Sequence, residues 1–310
     1  MKLSLVVPCY NEADNVSAFQ DAVLAAFDSC GYDYEIIFIN DGSSDATLHN
    51  LKKIYAVQKC PVKVISFSRN FGKEAGLYAG LQHASGDYIS LIDADLQQNP
   101  SIVRKMVQIL DEKPEYDVVA AYQDRRREGA LLSFFKKSFY AIINKLSKVT
   151  LQSDASDFRT FRRSVRDSIL QLAEYHRFSK GIFAWVGYDT YFIPYTAQPR
   201  ASGRTKWNFW KLLNYAVEGI IGFSTAPLRL ATCLGGVTAI GAILYLLVVI
   251  IEKLFYGIDV PGYASIIVLI LFFGSMELFC IGIIGEYVGR IFEQSKDRPI
   301  YIAQEILEYK

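Results

Sequence analysis

Two kinds of hydrophobic pattern divide the chain. Toward the amino end, residues 3–7 (LSLVV), 35–39 (EIIFI), 62–67 (VKVISF), 88–92 (YISLI) and 117–121 (DVVAA) are short apolar runs rich in β-branched residues and of strand length. Between them, residues 16–27 carry apolar positions at helical spacing after Asn15. Residues 45–57 follow the cap candidates Ser43 and Ser44, and residues 101–110 begin right after Pro100. Strands that alternate with helices predict right-handed βαβ crossovers and a mostly parallel sheet of the α/β class, with a ligand crevice at the carboxyl ends of the strands.

The second pattern lies near the carboxyl end. Residues 230–251 hold no charge, and residues 260–285 hold only Glu277, whereas a bilayer crossing needs roughly 20 apolar residues. Two transmembrane helices are expected, at about 230–251 and 262–286. Their connector, Glu252 to Asp259, is short, contains Gly257 and is followed by Pro261 and Gly262, so the pair forms a hairpin. Arg229 precedes the first span and Arg290, Lys296 and Arg298 follow the second, while the connector offers Lys253. This excess of positive charge puts both termini in the cytoplasm. The cost of a charge in lipid turns Glu277 toward protein or a partner helix. The expected organisation is a cytoplasmic domain over 1–225 and, over 226–310, a transmembrane hairpin with a cytoplasmic tail. Two membrane-proximal helices belong to the first part: residues 131–146 have an amphipathic stripe, and residues 207–223 are apolar nearly all round with two tryptophans. Each suits the bilayer interface, with packing on the sheet as the alternative.

Composition changes this picture little. The chain of 310 residues is 51% apolar, and 33 Lys plus Arg against 32 Asp plus Glu leave a net charge of +1. No basic field argues for nucleic acid, so phosphate binding must come from local clusters. The five cysteines are far apart and never form a CxxC pair, so they read as buried apolar residues rather than a disulfide framework or zinc site. The run Leu3 to Val7 is too short for a signal-peptide core, and no cleaved export signal is expected.

Polar residues gather where the predicted strands end: Pro8, Tyr10, Asn11 and Glu12; Asn40, Asp41 and Gly42; Ser68, Arg69 and Asn70; Asp93 and Asp95. Asp93 and Asp95 with Gln97 offer two carboxylates and an amide oxygen, a donor set for Mg²⁺ or Mn²⁺ that bridges nucleotide phosphates. The two common phosphate-cradling loops, GxGxxG after the first strand and GxxxxGK[ST], are absent. Asp41 could accept from a base N–H or make an Asx turn before Gly42. Two basic clusters, Arg125, Arg126 and Arg127, then Arg200, Arg204 and Lys206, stand just ahead of the two membrane-proximal helices. They suit substrate phosphates or anionic headgroups.

PCYNE, NDGSSDAT, SRNFGKEAG, DADLQ, DFRTF, RFSKGIFAWVG, RASGRTKWNF and GEYVGR together cover nearly the whole chain. They resemble the family 2 polyprenyl-phosphate glycosyltransferases, and within them the bactoprenol glucosyltransferases and related N-acetylglucosaminyltransferases with two carboxyl-terminal spans. The resemblance implies a GT-A fold, a UDP-sugar donor, a divalent metal, and inverting transfer to undecaprenyl phosphate at the bacterial cytoplasmic membrane. It implies that Pro8, Tyr10, Glu12 and Asp41 hold the uridine, and that Asp93 and Asp95 with Gln97 hold the metal and diphosphate. Asp157 would lie beside the attacking oxygen, and Arg200, Arg204 and Lys206 near the phosphates. It leaves UDP-glucose and UDP-N-acetylglucosamine both open. A flippase and a downstream glycosyltransferase would be partners in the same pathway. GEYVG in the last helix is a small-xxx-small signal for a homo-oligomer. Among other readings, a processive polysaccharide synthase lacks its QxxRW motif, and two spans are few for an export channel. A noncatalytic nucleotide-binding membrane scaffold would not need the metal residues together with Asp157.

Overall fold

The computed structural model describes residues 1–27, 31–123, 155–198, 220–256 and 262–309. Outside them lie Cys30, both basic clusters (Arg125, Arg126, Arg127; Arg200, Arg204, Lys206), the expected helix at 131–146, most of that at 207–223, and the connector around Gly257.

The strands are β1 (Lys2–Cys9), β2 (Asp33–Asn40), β3 (Val62–Phe67), β4 (Tyr88–Leu91), β5 (Val118–Gln123), β6 (Ala155–Arg162), β7 (Thr190–Tyr195) and β8 (Ala303–Leu307). The helices are α1 (Val16–Phe27), α2 (Thr47–Val57), α3 (Lys73–His83), α4 (Pro100–Glu112), α5 (Arg163–Leu170), α6 (Ser179–Val186), α7 (Ala226–Tyr256) and α8 (Tyr263–Ser295). One eight-stranded sheet has the order β7-β5-β6-β4-β1-β2-β3-β8. Its centre, β4-β1-β2-β3, is parallel. β6 runs antiparallel to β4 and β5, and β8 antiparallel to β3. The α/β class and mostly parallel sheet expected from the strand–helix alternation are present.

The inner strands are buried on both faces, which is why they read as unbroken apolar runs. One face packs Phe19 and Val23 of α1, Leu51 of α2, and Val103, Met106 and Leu110 of α4. The other packs Leu77 and Leu81 of α3, Val165 and Ile169 of α5, and Ile182 of α6. Ser43 and Ser44 do not cap α2. Ser43 Oγ accepts from Asn11 N, Ser44 N donates to Asn11 Oδ1, and Asp45 Oδ1 accepts from Thr47 N at the helix start.

α7 and α8 are each long and apolar enough to cross a membrane. Glu277 lies exposed on α8, and Cys233 is exposed on α7 rather than buried like Cys9 and Cys60. The segment after α8 returns to the sheet, because β8 pairs with the edge strand β3 in the register Val64 to Leu307. Just beyond it, Tyr309 reaches the amino ends of the strands. There Glu35, fully buried, accepts from Ser4 Oγ (2.6 Å), Ser85 N and Oγ (2.8 and 2.7 Å) and Tyr309 Oη (2.7 Å). It also pairs with Lys2 (3.2 Å) and Lys63 (3.4 Å).

Candidate active site

The opposite ends of the same strands carry the polar residues singled out in the sequence. β1 delivers Pro8 and then Tyr10 and Glu12, β2 delivers Asp41, β4 delivers Asp93 and Asp95, and β6 delivers Asp157. Two non-glycine residues in the left-handed region shape the loops, Asn11 (φ 55°) after β1 and Leu96 (φ 60°) within the acidic turn.

Asp41 is buried, and its carboxylate accepts from Phe71 N (2.6 Å) and Gly72 N (3.0 and 3.3 Å). It thus ties the loop after β2 to the loop before α3. Gly42 makes this approach possible: at φ 59° it lies in the left-handed region, and a Cβ there would stand 2.3 Å from the Arg69 carbonyl carbon and 2.5 Å from Asn70 N. Burial pushes the Asp41 carboxyl up, against the two N–H donors and Arg69, which lower it.

Asp93 and Asp95 lie on the turn between β4 and α4. Asp93 N donates to Gln98 Oε1 (3.0 Å), Asp95 Oδ1 accepts from Gln97 N (3.1 Å), and Asn99 caps α4 through Ser101 N. Gln198 N, just past β7, donates to the Gln97 carbonyl, so the chain leaves the described residues at the acidic turn.

One residue unites the two acidic strands. Lys73, first in α3, places its ammonium 2.7 Å from Asp93 Oδ1 and 3.4 Å from Asp157 Oδ2. Burial would raise the Asp157 carboxyl, but Lys73, Lys180 and Arg159 outweigh it and hold the pKa below the usual aspartate value. Burial would likewise lower the Lys73 ammonium, but Asp93 and Asp157 raise it, so it stays charged. Lys73 was not among the residues the motif pattern put forward as a ligand. Its neighbour Glu74 accepts from Ser179 N (3.0 and 3.1 Å) and from the Ser179 hydroxyl.

Of the two arginines further along β6, Arg159 is among the charges that hold Asp157 ionised, and Arg162 is not. Arg162 turns to the carbonyls of Leu110 and Tyr116 and to Asp117 at 3.7 Å. Pro8, Tyr10, Glu12, Asp41, Asp93, Asp95, Gln97 and Asp157 thus belong to one end of the sheet. Among the described residues no group of three or more His, Cys, Asp or Glu could itself hold a metal ion. Two carboxylates two residues apart, with an amide beside them, are hard oxygen donors. They fit a cation whose remaining ligands are phosphate oxygens and water.

A mixed, mostly parallel sheet with an acidic pair at the end of β4 and a third carboxylate on β6 defines a glycosyltransferase of the GT-A class. The chain belongs to glycosyl transferase family 2, whose profile matches residues 4–170, and a second profile, the GtrB C-terminal hairpin, matches residues 226–291. It is 42% identical to the bactoprenol glucosyl transferase of Shigella phage SfV, over 97% of this chain and 98% of that one. It is 40% identical to the prophage bactoprenol glucosyl transferase homolog of Escherichia coli K12, over 99% of each. Among solved structures, glucosyl-3-phosphoglycerate synthase from Mycobacterium tuberculosis aligns with a TM-score of 0.48 at 18% identity, over 71% of this chain and 78% of that one.

Proposed function

We propose that the enzyme transfers glucose from UDP-glucose, with inversion, to undecaprenyl phosphate. The observation that carries this reading is the gathering of Asp93 and Asp157 around one ammonium at the carboxyl end of the sheet. The relatives are named for bactoprenol and glucose, which supports the acceptor and the sugar. Pro8, Tyr10, Glu12 and Asp41 line the uridine side, and the Asp41 bonds to Phe71 and Gly72 brace that wall.

Asp93 and Asp95 with Gln97 would hold Mg²⁺ or Mn²⁺, which supplies positive charge to the departing diphosphate. Lys73 adds a second positive charge beside Asp93. Arg200, two residues beyond the point where Gln198 meets the acidic turn, and Arg204 and Lys206 serve the phosphates; Arg125, Arg126 and Arg127 serve the acceptor or its headgroup surroundings. The two apolar helices anchor the enzyme where its lipid substrate lies, and the positive charges flanking them support a cytoplasmic catalytic domain with both termini on the same side.

Two roles are open to Asp157: taking a proton from the acceptor, or acting by charge and orientation. A phosphate monoester has its second pKa near 6 and is mostly dianionic at pH 7. A carboxylate held below its usual value is a weak base toward it. Asp157 therefore acts by charge and orientation, steadying positive charge at the anomeric carbon or aligning the acceptor. Asp157→Asn is expected to lose about 100-fold in turnover, the scale of one strong electrostatic contact, nearly independently of pH between about 6.5 and 9. Recovery of activity as pH rises would assign it to proton removal instead.

The substrate is tested by incubating the full-length enzyme with undecaprenyl phosphate and a panel of UDP-sugars and weighing the lipid product. A hexosyl adduct from UDP-glucose is expected. An adduct formed only from UDP-N-acetylglucosamine would replace the sugar, and no lipid adduct from any donor would sink the reading.

A further inference from the structure

A further carboxylate stands next to Lys73 in α3, and the transfer as described does not use it. Glu74 occupies the first turn of α3, where an acid suits the positive end of the helix. Its oxygens are nevertheless spent on a segment 105 residues away, accepting the backbone N–H and the hydroxyl of Ser179. Those bonds cap α6, whose N-cap residue Phe178 provides no side-chain acceptor. The next residue of α6 is Lys180, one of the cations that hold Asp157 ionised.

The segment leading into α6 is held from the other side by the membrane hairpin. Near the end of α8, Gln294 Oε1 accepts from Tyr175 N (2.8 Å), Gln294 Nε2 donates to the Ala173 carbonyl (3.2 Å), and Glu293 pairs with His176. Arg177 then lies over the Tyr78 ring of α3 at 4.5 Å. Glu74 is the point where this strap meets the helix that carries Lys73.

We infer that Glu74 is a positioning residue. By capping α6 through Ser179 it fixes the helix whose Phe183 ring lies 4.1 Å from the Arg159 guanidinium of β6, the strand that carries Asp157, and it joins the setting of Asp157 to the end of the membrane hairpin. Burial, with Asp157 nearby, pushes the Glu74 carboxyl up to about 6, so the cap is kept at an electrostatic cost. The inference rests on the reading of Asp157 as the carboxylate at the reacting centre.

The test uses the full-length enzyme in lipid nanodiscs and compares turnover per folded molecule with the affinity for UDP and Mg²⁺ measured without turnover. Glu74→Ala is expected to lower kcat about 10- to 100-fold, the scale of a small misplacement of reacting groups, with UDP affinity within about twofold of wild type. Glu74→Gln, which keeps an acceptor oxygen, is expected to restore most of that kcat. The double variant Glu74→Ala/Asp157→Asn should be little slower than Asp157→Asn alone, because both act on one setting.

Wild-type kcat in folded Glu74→Ala, or losses that multiply in the double variant, would overturn the inference. If Glu74→Ala does not fold, Ser179→Ala takes its place. A loss of about 3- to 10-fold with the same non-additivity is then expected, and unchanged turnover overturns the inference. Full activity in Asp157→Asn would instead bring down the reading of the site and the inference with it. An inactive Asp157→Asn beside a fully active Glu74→Ala defeats the inference alone.

Discussion

Each end of the sheet sets carboxylates beside lysines, but the two ends treat the charge differently. At the amino ends of β1 and β2, Glu35 has four hydrogen bonds and two lysines to itself, and its pKa falls to about 2 although burial alone would raise it. At the carboxyl ends, Lys73 is shared between Asp93 and Asp157, and the adjacent Glu74 is pushed up to about 6. A satisfied charge is a structural element. Carboxylates that must share one cation in an open crevice retain an attraction for further positive charge, which is the property a site for a metal and a transferring sugar requires.

The contrast can be broken at either end. The largest effect is expected from Glu35→Ala, which leaves four hydrogen-bond donors and two lysines without their shared carboxylate. About 4 kcal/mol of stability should be lost, in the range for breaking a buried ion pair, with turnover per folded molecule unchanged. A mutant whose remaining folded enzyme is slow would show that the two ends are not independent. The pH dependence sharpens this. Because the folded pKa lies below the ordinary glutamate value of 4.5, the contribution of Glu35 is whole above about pH 5 and drains away as pH falls toward about 2. Denaturant titrations of wild type and Glu35→Gln should therefore differ most near neutral pH and converge in acid.

Asp95→Ala comes next, with the opposite signature. Turnover should fall at least about 100-fold while the melting temperature stays close to wild type, because the carboxylate serves a ligand rather than the core. Full activity in this variant, or in wild type with excess chelator, would remove the metal from the assignment. The smallest effect is expected from Tyr309→Phe, which deletes one hydrogen bond to Glu35 and should cost about 1 kcal/mol, read as a shift in the denaturation midpoint with no change in rate.

The parts of this arrangement that could be read in the sequence are those set by local patterns. β1 to β5 are apolar runs because their surroundings are dry, α4 announces itself by Asn99 and Pro100, and the site carboxylates on β1, β2 and β4 stand where strands end. α3 escaped notice because small residues occupy its buried face. Gly80 lies so close to β1 that a Cβ would meet Val6 Cγ1 at 2.2 Å, and such a helix shows no apolar stripe of the ordinary kind. β6 and β8 mix charged with apolar residues and find their partners far along the chain, as Leu91 finds Arg159 and Ser66 finds Glu305. Lys73 and Glu74 stand in SRNFGKEAG, a motif that was visible, but their partners Asp157 and Ser179 lie 84 and 105 residues away. No local spacing joins them.

The return of the chain to β3 has a consequence for how the protein is made. β8 and Tyr309 follow both apolar helices in the sequence, so a ribosome finishes α7 and α8 before it releases the strand that covers the open edge of β3 and the hydroxyl that closes around Glu35. Until then the sheet ends in unpaired backbone groups, the kind of edge that invites pairing with other chains. A chain halted before its hairpin is delivered to the bilayer therefore carries an unsealed sheet.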